Sequence, residues 1–290
     1  MNAEDKTKIL LKPEWLKKKL FNSNKENTVK KIIKSGKLHT VCAESKCPNI
    51  GECFSNRTAT FLLLGNVCTR NCRFCNISSN KIELSLDPDE PKRVSDAVKE
   101  MNLKYVVLTS VTRDDLSDGG SLAFTETVER IKKNNPQIKV EVLVPDFQGN
   151  TDCVQKVLNS GIDVFGHNLE TVKRLYKTVR PEADYQRSLS ILSYAGRNNK
   201  NITLKTGIML GLGEKEKEIL ELIKDFHEIK GQILTIGQYL APSLKSFPVK
   251  EYILPEKFEF YREFGENIGI GRVVSAPFVR SSYLAEKFFL

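Results

Sequence analysis

The chain has 290 residues, 40% of them hydrophobic, with seven cysteines, three histidines and a formal charge of +9. A chain of this length buries a sizeable core, and no apolar run approaches the roughly 20 residues that span a bilayer, so no membrane-spanning class fits. Nor is it one of the small secreted scaffolds stapled by disulfides, and its charged first eight residues do not read as a cleavable leader.

The charge is unevenly placed. Residues 1–40 hold eleven Lys against four Asp plus Glu, which gives +7 and leaves only +2 for the rest of the chain. This arm lacks the interleaved aromatics and Arg of a nucleic-acid surface. It reads either as a solvated helical face or as a patch that steers an acidic protein partner, with Lys17, Lys18 and Lys19 its densest run. Residues 1–20 are Lys-rich without Arg, unlike a transit peptide, so the expected compartment is a bacterial cytoplasm.

Six cysteines follow in two triplets, Cys42, Cys47 and Cys53, then Cys68, Cys72 and Cys75. Each triplet is one thiolate short of a closed four-ligand site, and soft thiolates suit iron-sulfur clusters or zinc. Zinc sites usually carry paired Cys-x-x-Cys knuckles, a spacing found here only at Cys72 and Cys75. Two iron-sulfur sites therefore fit better than zinc or disulfides. Cys153, beside Val154, Val157 and Leu158 on a helical stretch, reads as a small core hydrophobe.

From Ala59 onward β-rich runs alternate with amphipathic stretches, the pattern of parallel βα units. Six strands are predicted, at 60–64, 105–109, 140–144, 163–166, 204–209 and 234–239. The stripe Val94, Ala97, Val98 and Met101 predicts a helix packed on the sheet, as do Leu220, Ile223 and Phe226. The expected fold is α/β, a partial (β/α)6 TIM-like barrel at 58–245. A 1–57 extension would carry the first triplet, and a 246–290 extension would follow the barrel.

In such folds chemistry gathers on the loops after the strands. Those loops hold Cys68, Cys72 and Cys75; Ser110 to Asp115; His167 to Glu170; Gly211 to Glu214; and Gln238 to Ser243. Gly211-Leu-Gly213 is either a tight turn or a weak phosphate-loop signal. His167 and Asn168 equally suit a strand end and a helix cap.

Three thiolates on a 4Fe-4S cubane leave one iron open for a small chelating molecule that receives an electron. The spacing Cys68-x3-Cys72-x2-Cys75, with Phe74 before the last cysteine, resembles the radical S-adenosylmethionine superfamily. Cys42-Ala-Glu-Ser-Lys-Cys47-Pro-Asn-Ile-Gly-Glu-Cys53, the run Ala59 to Cys75 and the terminal Val279-Arg280-Ser281-Ser282-Tyr283 together resemble its lipoyl synthase family. Thr109 to Ser121, Val179-Arg180-Pro181, Lys205 to Glu214 and Gly237 to Ser243 extend the likeness over about residues 40–284.

The resemblance implies that S-adenosylmethionine binds the cluster of Cys68, Cys72 and Cys75 and is cleaved to a 5'-deoxyadenosyl radical. It implies a second 4Fe-4S cluster on Cys42, Cys47, Cys53 and Ser282 that is sacrificed to put sulfur at C6 and C8 of an octanoyl-lysine on a carrier protein. It further implies contacts to S-adenosylmethionine from Phe74, Thr109, Asn168, Glu170, Arg180 and Gln238. Arg280 would hold the tail or balance its charge, with Ser281 only a neighbour of the ligand.

Expected partners are the octanoylated carrier, a low-potential donor such as ferredoxin or flavodoxin, and an iron-sulfur carrier that rebuilds the spent cluster; no nucleic acid or membrane is expected. One departure is Ser246, two residues before Pro248, where the family commonly has histidine. The rival functions are a tRNA-thiolating radical enzyme, which needs a basic RNA-binding module, and an electron carrier, which needs neither an open iron nor a barrel.

Overall fold

A computed structural model of the chain describes residues 11–17, 24–56, 58–79 and 86–289. Lys18 and Lys19 lie outside these residues; Lys17 is exposed and pairs with Glu14.

Among the described residues there are ten strands: β1 (His39–Thr40), β2 (Thr60–Leu63), β3 (Val67–Cys68), β4 (Ser78–Ser79), β5 (Tyr105–Ser110), β6 (Lys139–Leu143), β7 (Val164–Gly166), β8 (Thr203–Leu210), β9 (Ile233–Gln238) and β10 (Arg272–Ser275). The helices are α1 (Asn24–Ser35), α2 (Val41–Glu44), α3 (Ile50–Ser55), α4 (Glu90–Glu100), α5 (Ser121–Asn134), α6 (Thr151–Asn159), α7 (Tyr176–Val179), α8 (Tyr185–Asn198), α9 (Glu216–Glu228), α10 (Pro255–Asn267) and α11 (Ala285–Phe288).

Eight strands form one open sheet in the order β1-β2-β5-β6-β7-β8-β9-β10, parallel throughout except for β1. All six predicted strands are present, and the partial-barrel architecture is the expected one. The parallel sheet runs on past residue 245, because β10 pairs with β9 from Arg272↔Ile233 to Ser275↔Ile236. Strands covered on both faces need near-continuous apolar runs, as Tyr105-Val-Val-Leu-Thr supplies. The helices close the outer face. Val94, Ala97 and Val98 of α4 are buried as the stripe requires, and so is Cys153 of α6. In α9 the buried stripe is Ile219, Leu222, Ile223 and Phe226, with Leu220 only at its flank.

On the inner face the C-terminal tail runs down the sheet. Gly237 of β9 lies so close to it that a β-carbon there would stand 2.0 Å from the Val279 carbonyl oxygen, so only glycine admits the tail. Further on, Ala285 and Phe289 pack against Tyr105, Val107 and Val164, with the Phe289 and Tyr105 ring centroids 5.9 Å apart. Beside them Lys205 Nζ reaches both Glu141 carboxylate oxygens at 2.8 Å, and Tyr105 donates to the same carboxylate.

A buried charge stripped of its partner is penalised far more than the pair is favoured. Lys205→Met is therefore expected to destabilise the metal-free protein by about 3–5 kcal/mol in denaturant unfolding. Adding Glu141→Gln should recover much of that loss.

Candidate active site

The first triplet is built from two short helices. Thr40, ending β1, caps α2 by accepting from the Ala43 amide at 3.3 Å, which sets Cys42 into the protein with its side chain buried. The chain then turns back, Cys47 N–H donating to the Cys42 carbonyl at 3.0 Å, and α3 carries Cys53.

The tail is pinned to this segment at two points. Asn49 Nδ2 donates to the Phe278 carbonyl at 2.7 Å, and the Tyr283 hydroxyl to Glu52 Oε1 at 2.8 Å. Between the pins lie Arg280, Ser281 and Ser282. Ser282 Oγ accepts from Thr60 Oγ1 at 2.7 Å, and Ser281 Oγ accepts from Asn168 Nδ2 at 2.9 Å. Residues more than a hundred positions apart in sequence are thus joined by side chains.

The second triplet sits in the loop after β2. Arg70, between Cys68 and Cys72, anchors that loop to two others through Asp114 (2.6 and 2.9 Å) and Asp146 (2.6 Å). Arg187 meets the second oxygen of Asp146 at 2.7 Å. Burial opposes ionisation of Asp146, but Arg70 holds its carboxyl well below the usual carboxylate range. The loop's far side is tied by the Arg73 amide to the Val179 carbonyl, by the Phe247 amide to the Arg73 carbonyl, and by Arg73 over the Phe247 ring. Asn76 Nδ2 donates to the Glu44 carbonyl at 2.7 Å, so the two cysteine segments touch.

Members of both triplets border one cavity of about 480 Å³, whose wall includes Cys42, Cys47 and Cys75 with Thr60, Phe74, Thr109, Asn168, Glu170 and Ser282, whereas Cys53, Cys68 and Cys72 are not part of that wall. None of the seven cysteines is in a disulfide. Burial pushes the Cys72 thiol up to about 12 and those of Cys42 and Cys75 up to about 11, a shift that a bound cation opposes. Among the described residues no three Cys, His, Asp or Glu side chains converge as ligands of a single ion. A cubane takes each thiolate on a different iron, so its ligands need not converge.

The cavity wall also suits a zwitterion. Asn168, in the same wall, has its Oδ1 buried without a hydrogen-bond partner, an acceptor left unsatisfied. Glu170 stands next to it, accepting from Asn168 Nδ2 at 3.0 Å. Its backbone is held at φ 64° by the pairing of its amide with the Gly207 carbonyl and its carbonyl with the Met209 amide, a strained conformation of the kind found where a side chain must be aimed. Burial pushes the Glu170 carboxyl up, against Arg180 and Asn168, which pull it down.

The sequence-predicted residues divide. Phe74, Thr109, Asn168 and Glu170 line the cavity. Arg180 stands behind the wall, its guanidinium donating to the Asn168 and Leu169 carbonyls at 3.0 and 3.1 Å. Gln238 is fully buried, donating to the Leu210, Tyr239 and Glu251 carbonyls and accepting from the Ile253 amide at 2.8 Å. It holds the 239–253 loop. His167 donates from Nδ1 to the Val144 carbonyl at 2.8 Å and faces Ser188 through Nε2 at 3.0 Å. Burial, then Arg180, lowers it to about 4, so it is a neutral packing group.

The Gly-x-Gly loop is a turn. Gly211 and Gly213 have φ of 106° and 107°, and the amides of residues 211, 212 and 213 point at the Glu214 carboxylate at 3.0 to 3.2 Å. With its anion already supplied by the chain, it is no phosphate cradle.

Comparison with known proteins agrees with this geometry. Residues 62–226 match the Radical SAM superfamily. A lipoyl synthase of Caldicellulosiruptor saccharolyticus is 52% identical over 276 residues, covering 95% of this chain and 96% of that protein. The chain belongs to the lipoyl synthase family. A lipoyl synthase of Deinococcus radiodurans is 51% identical over 96% of this chain and 85% of its own length. Among solved structures, methylornithine synthase shares the fold with a TM-score of 0.56 at 16% identity, covering 86% of this chain and 82% of that one. The family works with 4Fe-4S clusters and S-adenosylmethionine, and the free thiols, the cavity and the orphaned Asn168 oxygen fit both.

The contacts of three contributors escape sequence reasoning. Thr60 is the inward-facing first residue of β2, Asp146 anchors the second cysteine loop from a rim position, and Ser281 pairs with Asn168. In sequence Ser281 reads only as a neighbour of the ligand and Thr60 only as the start of a strand, while Asp146 follows a predicted strand with nothing to single it out.

Proposed function

We propose that Cys68, Cys72 and Cys75 hold the cluster that reduces S-adenosylmethionine, and that Cys42, Cys47, Cys53 and Ser282 hold the cluster that is consumed for sulfur. The activity is insertion of sulfur at C6 and C8 of an octanoyl chain amide-linked to a carrier-protein lysine. When bound, the clusters and S-adenosylmethionine supply a 5'-deoxyadenosyl radical for unactivated C–H bonds, and the sulfur. What supports the assignment is that Cys42 and Cys47 of one triplet and Cys75 of the other border one cavity, with Ser282 in the same wall and bonded to Thr60.

In this reading Asn168 Oδ1 and Glu170 accept from the S-adenosylmethionine ammonium, while Phe74 and Thr109 shape its pocket. Arg180 and Gln238 act from behind, setting the 168–170 and 239–253 loops. Arg280, whose Nη1 donates to the Val279 and Pro277 carbonyls, sets the tail, and its charge lies near Cys47. The hydroxyl pair of Ser243 and Ser246 braces the loop where relatives commonly carry histidine.

The working division is 1–57 for the first triplet, 58–245 for the radical chemistry and 246–290 for delivery of Ser282, with β10 extending the sheet. Anaerobically reconstituted protein is expected to bind about eight irons per chain with equal acid-labile sulfide. Stoichiometric zinc, or about four irons, overturns the two-cluster assignment.

The carrier docks at the cavity mouth, where Lys12 and Lys46 are exposed in the lining and form no ion pair among the described residues. Replacing both with Gln is expected to slow association with an acidic octanoylated carrier at low salt, with little change above about 0.5 M salt. Equal on-rates at every ionic strength leave the mouth without a steering role. A ferredoxin or flavodoxin supplies electrons, an iron-sulfur carrier rebuilds the consumed cluster, and the setting is the cytoplasm. Among the described residues no helix is long and apolar enough to cross a membrane.

A further inference from the structure

One buried hydroxyl links the two ends of the chain that meet at the first triplet. Thr60 Oγ1 donates to Ser282 Oγ at 2.7 Å, and the antiparallel pairing of β1 with β2, Thr40 opposite Phe61, brings the start of α2 with Cys42 alongside Thr60. Thr60 is 3% exposed and lines the cavity between those residues. Its backbone is fixed, because it opens β2 in parallel register with Val107.

Ser282 has no such frame. It lies in a turn between Arg280 and Tyr283, whose amide returns to the Arg280 carbonyl at 3.0 Å, and Thr60 is the one side chain among the described residues that hydrogen-bonds its hydroxyl. A serine side chain has three staggered rotamers of similar energy, and one short hydrogen bond from a rigid strand selects among them.

We propose that Thr60 is a positioning residue of the sulfur-donating site: its hydroxyl holds the Ser282 oxygen beside Cys42, so that two ligands from opposite ends of the chain arrive together. This rests on the assignment of Ser282 as a ligand. Groups that hydrogen-bond metal ligands orient them and tune how firmly they bind, and losing one typically costs about 10–100-fold in metal affinity.

The test uses the full chain with Cys68, Cys72 and Cys75 replaced by Ala, so that only the first cluster is loaded. Its readout is the anaerobic rate of iron release to a chelator. Thr60→Val is expected to release iron about tenfold faster, whereas Thr60→Ser stays near the parent rate. Ser282→Ala should also release iron faster, and adding Thr60→Val to it should change the rate by less than about twofold, because the partner is already gone.

If Ser282→Ala accelerates release but Thr60→Val does not, the inference is wrong while the ligand assignment stands. It is equally wrong if the two effects multiply in the double variant, since Thr60 then acts apart from the serine. If Ser282→Ala keeps the parent rate, the ligand assignment itself fails. Thermal unfolding of the metal-free variants monitors the fold, and Thr60→Ala carries the same comparison if valine is not accommodated.

Discussion

Replacing Cys68, Cys72 and Cys75 with Ala is expected to abolish deoxyadenosine formation while leaving one cluster of about four irons in place. Replacing Cys42, Cys47 and Cys53 should do the reverse, leaving cleavage of S-adenosylmethionine intact and lipoyl product at background. The asymmetry follows from how the two segments are held. The second cysteine loop is tied to the barrel through Arg70 with Asp114 and Asp146, and through Arg73 with Val179 and Phe247. The first is held by α2, α3 and the tail pins at Asn49 and Tyr283. The bond from Asn76 to the Glu44 carbonyl is the direct link noted between the two segments, so one triplet can be emptied without dismantling the other's frame. If the Cys42, Cys47 and Cys53 variant loses cleavage of S-adenosylmethionine while still holding about four irons, or the Cys68, Cys72 and Cys75 variant still forms deoxyadenosine, the division of labour is wrong.

Much of this frame is legible in the sequence because parallel βα units write their strands as apolar runs. β10 escapes because it is four residues long with polar ends, and β1 because two residues form a strand only by pairing with β2. Strand alternation also carries more than a list of rim positions does. Thr235 and Gly237 face the cavity, so Gln238 must face away, and its amide is found holding a loop. Gly211 and Gly213 stay ambiguous in sequence because nothing local says that Glu214 folds back onto their amides. The Thr60 to Ser282 bond spans 222 positions and depends on the tail running along the inner sheet face past Gly237, which no local pattern encodes.

Ser282→Cys is expected to keep four ligands on the first cluster and to bind it more firmly, while lipoyl product falls at least about tenfold. Deoxyadenosine formation should stay within about twofold of the parent, since the second triplet is untouched. The reason lies in ligand hardness. An alkoxide is a hard oxygen donor on iron that otherwise meets sulfide and thiolate, so its corner is the one from which iron is most readily lost. A cluster that must be taken apart to give up sulfur needs such a corner, and a fourth thiolate removes it. Ser282→Ala should instead loosen the cluster, because the site then has three ligands. Ser281→Ala should be milder, since that hydroxyl accepts from Asn168 rather than facing Thr60 and Cys42. The decisive measurement pairs iron retention against a chelator with product formation in one preparation. Firmer retention with normal product sinks the lability argument, and the serine then serves by geometry alone, placed where a bulkier sulfur still fits beside Thr60.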